Sequence, residues 1–159
     1  MAYSVRSQID IFLALVTVSS VVAIDRFSKI FFSQILSVGE SLPVIPRIFH
    51  ITLVHNTGIA FGLFKNHGLV FVIIPIIVVG LLVFNIFYYK NNNQELSRLY
   101  IVAFSMILGG AMGNLIDRIA FGYVIDFLDF RVWPVFNAAD SAITIGAFLI
   151  GLKCFQMSK

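Results

Sequence analysis

Two aspartates in this chain could do chemistry: Asp126, in Val124-Ile125-Asp126-Phe127, and Asp140, in Phe136-Asn137-Ala138-Ala139-Asp140-Ser141. Asp140 heads an apolar run, 142–152, that is long enough with its flanks to enter a bilayer, and Asp126 stands in the loop leading up to it. A carboxylate at the centre of a membrane helix costs roughly 2.5–3.5 kcal/mol, and less near the interface, so intramembrane acids are functional candidates by default. Two carboxylates that meet cannot both ionise cheaply. They share a proton and can act as base and acid on a water attacking an amide, which is the logic of an aspartic protease.

Around this pair the sequence places Asp25, Asp117, Asp129, Asn56, Asn114, Asn137 and Arg118 at one end of the expected bundle. Several of these also have a plainer reading. Asn137 fits a helix N-cap with Asp140 at the third helical position, where its charge favours the helix dipole by about 0.3–1 kcal/mol. Asp126, followed by Asp129, could be a solvated loop acid. Asp25 and Lys29, four apart, fit a helix-surface ion pair worth about 0.2–0.5 kcal/mol. Asp117 fits either a pair with Arg118 or a positioning role. Asn56-Thr57-Gly58 reads as a turn, with Asn56 bonding its own backbone and Gly58 free to take positive φ.

Other chemistries lack their signatures. There is no His-Glu-x-x-His for a zinc protease and no Gly-x-Ser-x-Gly elbow for a serine hydrolase. His50, His55 and His67 show no metal-like spacing and read as polar surface residues. Neither a metal nor a cofactor is expected. The single Cys154 excludes an internal disulfide and reads as a reduced small hydrophobe, with palmitoylation as the alternative.

The elements that position the acids follow from composition. Of 159 residues 59% are hydrophobic and only 12% charged, the profile of an integral membrane protein of one domain. Its net charge of +3 suits a neighbour of anionic lipid and carries no nucleic-acid reading. The apolar periodicity predicts four transmembrane helices, at about 9–36, 69–89, 99–119 and 138–155. The first reads as a retained helix rather than a cleaved signal peptide, since no basic cluster precedes it. Pro75 predicts a kink in the second. Gly109 and Gly113 in the third, and Ala138, Ala142 and Gly146 in the fourth, are small-residue ridges that allow close helix approach. Between the first two helices, 37–68 alternates β-branched runs with Gly and Pro, predicting a β-rich platform on the membrane surface. A lid-like loop at 120–137 separates the last two.

Five stretches carry a resemblance. Asp25-Arg26-Phe27-Ser28-Lys29, Asn56-Thr57-Gly58-Ile59-Ala60-Phe61-Gly62, Gly109-Gly110-Ala111-Met112-Gly113-Asn114-Leu115-Ile116-Asp117-Arg118, Val124-Ile125-Asp126-Phe127 and Phe136-Asn137-Ala138-Ala139-Asp140-Ser141 look like the successive motifs of the lipoprotein signal peptidases, or signal peptidase II. They occur in that family's order, and the similarity covers 24–151. The resemblance implies that Asp126 and Asp140 are the catalytic pair. It implies that Asp25, Lys29, Asn56, Gly58, Asn114, Arg118 and Asn137 bind substrate or support the site. Arg26 and Ile59 depart from the glutamine and alanine common there, away from the pair.

The resemblance also implies the substrate: bacterial prolipoproteins cut just before a diacylglyceryl-modified cysteine. Globomycin-type cyclic peptides are implied as inhibitors, and membrane lipid as a partner. Phe130, Trp133 and Phe136 suit an interfacial belt. The protein is expected to be a monomer in the bacterial inner membrane, its site near the outer leaflet. Lys and Arg are split five on the side of the termini against six on the other, which settles nothing; setting aside Arg26, Lys29 and Arg118 as helix-end residues that serve the site leaves a weak preference for cytoplasmic termini. Two other classes are weighed against a peptidase. A proton-coupled transporter would spread its acids through the membrane depth, and a structural scaffold would not explain clustered acids and asparagines.

Overall fold

The computed structural model describes residues 5–58, 80 and 97–157 of the chain. Apart from Gly80, the expected second helix, 69–89, lies outside the described residues, as does His67. In order the described elements are helix α1 (Val5–Ile35), strands β1 (Ser41–Ile45) and β2 (Phe49–Asn56), helix α2 (Arg98–Phe121), strand β3 (Val124–Asp129) and helix α3 (Ala138–Met157).

Two of these helices, over Gln8–Ile35 and Arg98–Phe121, are long and apolar enough to cross a membrane. The first rises about 42 Å at 1.5 Å per residue, more than the hydrocarbon thickness. Almost none of its apolar window is buried, so Phe12, Leu15, Ile24 and Phe27 face outward, as lipid-facing side chains do.

Helix packing rests on small residues. α2 lies between α1 and α3. A Cβ on Gly109 would stand 2.9 Å from Val21 Cβ, and one on Gly113 would stand 2.6 Å from Asp25 Oδ2, so the two glycines seat α1. Gly110 faces the Ala139 carbonyl and Ile143 of α3, while a Cβ on Gly146 would come 2.6 Å from the Ala103 carbonyl. The small-residue ridge that α3 buries is Ala139, Ala142 and Gly146 rather than the expected ridge through Ala138. Ala138 instead packs towards the sheet.

The sheet is antiparallel, in the order β1-β2-β3. Its inner face, Ile51, Leu53, Ile125 and Phe127, closes with Leu36 into an apolar core, and Phe32 of α1 meets Phe127 at 4.6 Å. The segment 120–137 is therefore not a loop throughout. Gly122, at φ 79°, caps α2 by donating its N–H to the Arg118 carbonyl, and the chain then enters β3. The reason is pairing: Val124–Asp129 is apolar and β-branched enough to complete the ladder that β2 begins. Beyond it the chain turns back, with Leu128 and Phe136 exchanging backbone hydrogen bonds of 2.8 and 3.1 Å. Trp133 and Val132 stand exposed at the tip of this excursion.

Candidate active site

Asp126 sits in β3, not in a loop, and is almost fully buried. Its neighbour is set by a register slip: between Ile51 and Val54 the β2–β3 pairing shifts by one residue, which puts Val54 opposite Asp126. Asn56 then becomes its diagonal neighbour on the ladder. Asn56 Nδ2 donates to Asp126 Oδ2 at 2.8 Å, while Asn56 Oδ1 accepts the Gly58 backbone N–H at 3.0 Å. The turn and the site contact are thus the same residue, and Gly58 serves through its backbone.

Asp140 belongs to the first turn of α3. Asn137 Oδ1 accepts the Asp140 backbone N–H at 2.9 Å, and Asp140 Oδ2 accepts the Asn137 backbone N–H at 3.2 Å. This is a reciprocal capping box, so the helix-start reading of Asp140 describes real contacts. It leaves the other oxygen available to the site, where Asp140 Oδ1 accepts from Asn114 Nδ2 at 2.8 Å.

The two carboxyls are linked through Asn137, which is wholly buried. Its Nδ2 donates to Asp126 Oδ1 at 2.7 Å and lies 3.0 Å from Asn114 Oδ1 and 3.3 Å from the Ile125 carbonyl. One asparagine therefore touches Asp126 with its side chain and Asp140 with its backbone. Burial pushes the Asp126 carboxyl up to about 7. The hydrogen bond from Asn56 opposes that rise, the charge of Asp140 adds to it, and Asn137 and Lys29 oppose it.

Beneath the pair lies a buried ion cluster. Lys29 Nζ reaches Asp117 Oδ2 at 2.7 Å, Asp25 Oδ2 at 2.9 Å and Asn114 Oδ1 at 3.0 Å. Asp25 and Lys29 are both 0% exposed, so they are not a helix-surface pair. Asp25 Oδ1 also accepts the Ala139 backbone N–H at 3.2 Å, tying α1 to the start of α3. Asp117 does not serve simply as a partner of Arg118: it takes Lys29 and the Ile125 backbone N–H at 3.2 Å. Arg118 feels the charges of Asp140, Asp126 and Asp117.

Arg26 is the member that sequence reasoning set aside. Its Nη2 donates to Asp25 Oδ2 at 3.1 Å and to the Gly113 carbonyl at 3.3 Å. The same nitrogen pairs with Asp117 Oδ1 at 2.6 Å, an ion contact outside hydrogen-bond angles. Charge counting would have found it, since two buried acids and one lysine leave a negative charge uncompensated.

Asp129 stays apart from this assembly. Its Oδ2 accepts from Thr52 Oγ1 at 2.7 Å and from Arg131 Nη1 at 3.0 Å. His50 lies 3.0 Å from Ser41 Oγ, and His55 stacks on Tyr123 at 3.9 Å, so neither is simply a solvated surface group. Among the described residues no cluster of His, Cys, Asp and Glu is arranged to hold a metal.

Asp140 opens onto a cleft of about 520 Å³ lined by Phe130, Trp133, Phe136, Ser141, Thr144 and Ile145. A carboxylate in a mainly apolar cleft, backed by a second carboxyl and by oriented amides, can act on a polar bond carried in by an apolar ligand.

The chain is similar to known proteins along most of its length. The sequence profile of the Signal peptidase (SPase) II family, Peptidase_A8, matches residues 17–156. A lipoprotein signal peptidase of Halothermothrix orenii is 43% identical over 144 residues, covering 91% of this chain and 96% of the relative. One from Moorella thermoacetica is 46% identical over 137 residues, covering 86% and 87%. Among solved structures, a bacterial membrane enzyme determined by the in meso method at 2.3 Å resolution superposes with TM-score 0.82 at 33% identity, covering 92% of this chain and 89% of that one. A second, at 1.9 Å resolution, gives TM-score 0.77 at 34% identity, covering 89% and 91%.

Proposed function

The chain belongs to the signal peptidase II family, and from that premise we propose that it cleaves its substrates with Asp126 and Asp140 as the acid–base pair. It is a membrane-embedded peptidase that removes signal peptides from prolipoproteins. The observation that carries the assignment of the pair is Asn137, bonded to Asp126 through its amide and to Asp140 through its backbone. In this reading one carboxylate takes a proton from a water as the water attacks the scissile carbonyl carbon, and the other, protonated, gives its proton to the carbonyl oxygen.

The scissile bond precedes a diacylglyceryl-modified cysteine, and the apolar cleft beside Asp140 receives the lipid-bearing segment or the signal-peptide chain. Asp25, Lys29, Asn114, Arg118 and Asn137 hold the pair from below, and Asn56, fixed by its turn with Gly58, holds it from the sheet. The whole chain forms a single membrane domain of four transmembrane helices with both termini cytoplasmic. Its sheet and the excursion at 130–136 lie at the outer leaflet of the bacterial inner membrane. It works as a monomer without a metal, and globomycin-type peptides occupy the pair as substrate mimics.

The test is cleavage of a diacylglyceryl-modified peptide by purified protein. Asp126→Asn and Asp140→Asn should each lose nearly all activity while retaining the wild-type melting profile in detergent, because an amide neither gives nor takes the proton. Substantial cleavage by either variant would remove that residue from the pair.

A further inference from the structure

A primary amide can turn either end to a neighbour, so the direction of the three asparagines around the carboxyls depends on their remaining partners. Each carbonyl oxygen here is taken by a group that only donates. Asn137 Oδ1 faces the Asp140 backbone N–H and Asn56 Oδ1 faces the Gly58 backbone N–H. Asn114 Oδ1 faces both the Lys29 ammonium and the Asn137 Nδ2 amide, each at 3.0 Å. Two of these locks are main chain; the third includes a wholly buried side-chain cation. Lys29 has three protons and three acceptors, two of them carboxylates of the ion cluster. Its third proton goes to Asn114 Oδ1, whose amide in turn donates to Asp140.

We propose that Lys29 is a positioning residue for the reaction. Seated on Asn114 Oδ1 beside the Asn137 amide, it helps hold the Asn114 amide with an N–H towards Asp140, and so favours Asp140 as the ionised base and Asp126 as the proton carrier. The inference rests on the assignment of Asp126 and Asp140 as the pair. Asp140 is the better anion by geometry: it accepts one main-chain N–H at a helix start and one amide N–H polarised by a cation. Asp126 accepts from two side-chain amides, and Asn137, one of them, also lies near two other acceptors.

The proton path closes on this assignment. Asp140 takes a proton from water as the water oxygen bonds to the amide carbon, and Asp126 gives its proton to the carbonyl oxygen. On collapse Asp140 passes its proton to the departing nitrogen as the C–N bond breaks, and Asp126 recovers one from the diol. Both groups return to their resting states.

The charged groups facing Asp140 are Lys29 and Asp25 from α1, Arg118 from α2, and Asp126 from β3. Removing Lys29 alone strands Asp25 and Asp117 with Arg26 between them. Lys29→Met is therefore measured beside Lys29→Met/Asp25→Asn, which keeps the ionic balance of the cluster. The readout is kcat and KM for a diacylglyceryl peptide across pH. Without the ammonium the carboxylate is less favoured, so in Lys29→Met the pH–kcat bell should move to higher pH by about one unit, with kcat near neutrality down about tenfold and KM little changed; the double variant, which also removes the opposing charge of Asp25, should move in the same direction by less. Activity should partly return on the alkaline side.

A merely structural cation would lower kcat equally at every pH. Folded variants with the bell in its wild-type position therefore overturn the inference, and so does failure of both variants to fold, which would make Lys29 a structural counter-ion. The underlying assignment is checked separately. If Asp140→Asn still cleaves, the pair itself is wrong, whereas an unmoved bell in a protein that Asp140→Asn inactivates removes only the role of Lys29.

Discussion

Replacing Asn56 with alanine takes one of the two amide hydrogen bonds from Asp126. A hydrogen bond to a charged group is worth about 1.5–3 kcal/mol, and 1.36 kcal/mol is one pH unit, so the loss corresponds to about one to two units. Water entering the gap restores part of it, and a rise of about one unit above 7 is the expected outcome for Asp126. The alkaline limb of the pH–kcat profile should move by that amount. Stability gives a second readout. Asp126 titrates near 7 in the folded protein against 3.8 for a free carboxyl, so the folded state keeps a proton that the unfolded chain releases. Its contribution is complete below 3.8 and is lost as pH rises through about 7, a change of about 4 kcal/mol over the span. In Asn56→Ala that loss should continue to higher pH, seen as a steeper fall of melting temperature between neutral and alkaline buffers. Asn56→Asp keeps an acceptor for the Gly58 N–H but faces Asp126 with an acceptor, and should move the limb further than alanine. A limb that stays in place, or moves towards acid, would refute the reasoning.

Gly113→Ala should lower stability by about 1–3 kcal/mol and abolish most cleavage, because its Cβ would meet Asp25 Oδ2 at 2.6 Å. Gly151→Ala, with nothing within 4 Å, serves as the neutral comparison in the same melting and cleavage assays. Arg118→Lys should lower activity without moving the pH optimum, since an ammonium cannot reproduce a forked guanidinium among Asp140, Asp126 and Asp117. Wild-type activity and melting in both Arg118→Lys and Arg118→Ala would show a solvated charge instead. Chelators should leave cleavage intact, because the acids of the site are engaged by amides and by Lys29; inactivation by EDTA with recovery on adding zinc would contradict this.

The long apolar helices were legible because hydropathy is a local property, and the strands at 41–56 because β-branched runs and turn residues announce them. β3 was not. Val124–Asp129 carries two acids and pairs with a strand far away in sequence, so nothing local separates it from a loop. Asp25 and Lys29 illustrate the same limit. Their spacing shows a pair, but their burial comes from α2 and α3 closing over them, which turns a weak surface contact into part of an interior cluster. Arg26 was passed over since its partner Asp117 lies on another helix. The reciprocal cap at Asn137 and Asp140 was readable from spacing alone, whereas the bond from Asn137 to Asp126 depends on how β3 meets the start of α3.

The ion cluster has a consequence for how the protein is assembled. Asp25, Arg26 and Lys29 reach the membrane on the first helix, well before the chain carrying Asp117 has been synthesised. Asp25 and Lys29 can neutralise one another within their own turn, but Arg26 then remains an uncompensated cation. An unpaired guanidinium favours surroundings where water or lipid phosphate solvates it, so burial of the end of α1 is expected to wait for its partner helix. Only arrival of α2, bringing Asp117 and the Gly113 carbonyl, lets that end settle into the bundle. Docking of the two helices during biogenesis is thereby tied to formation of the floor on which the carboxyl pair stands.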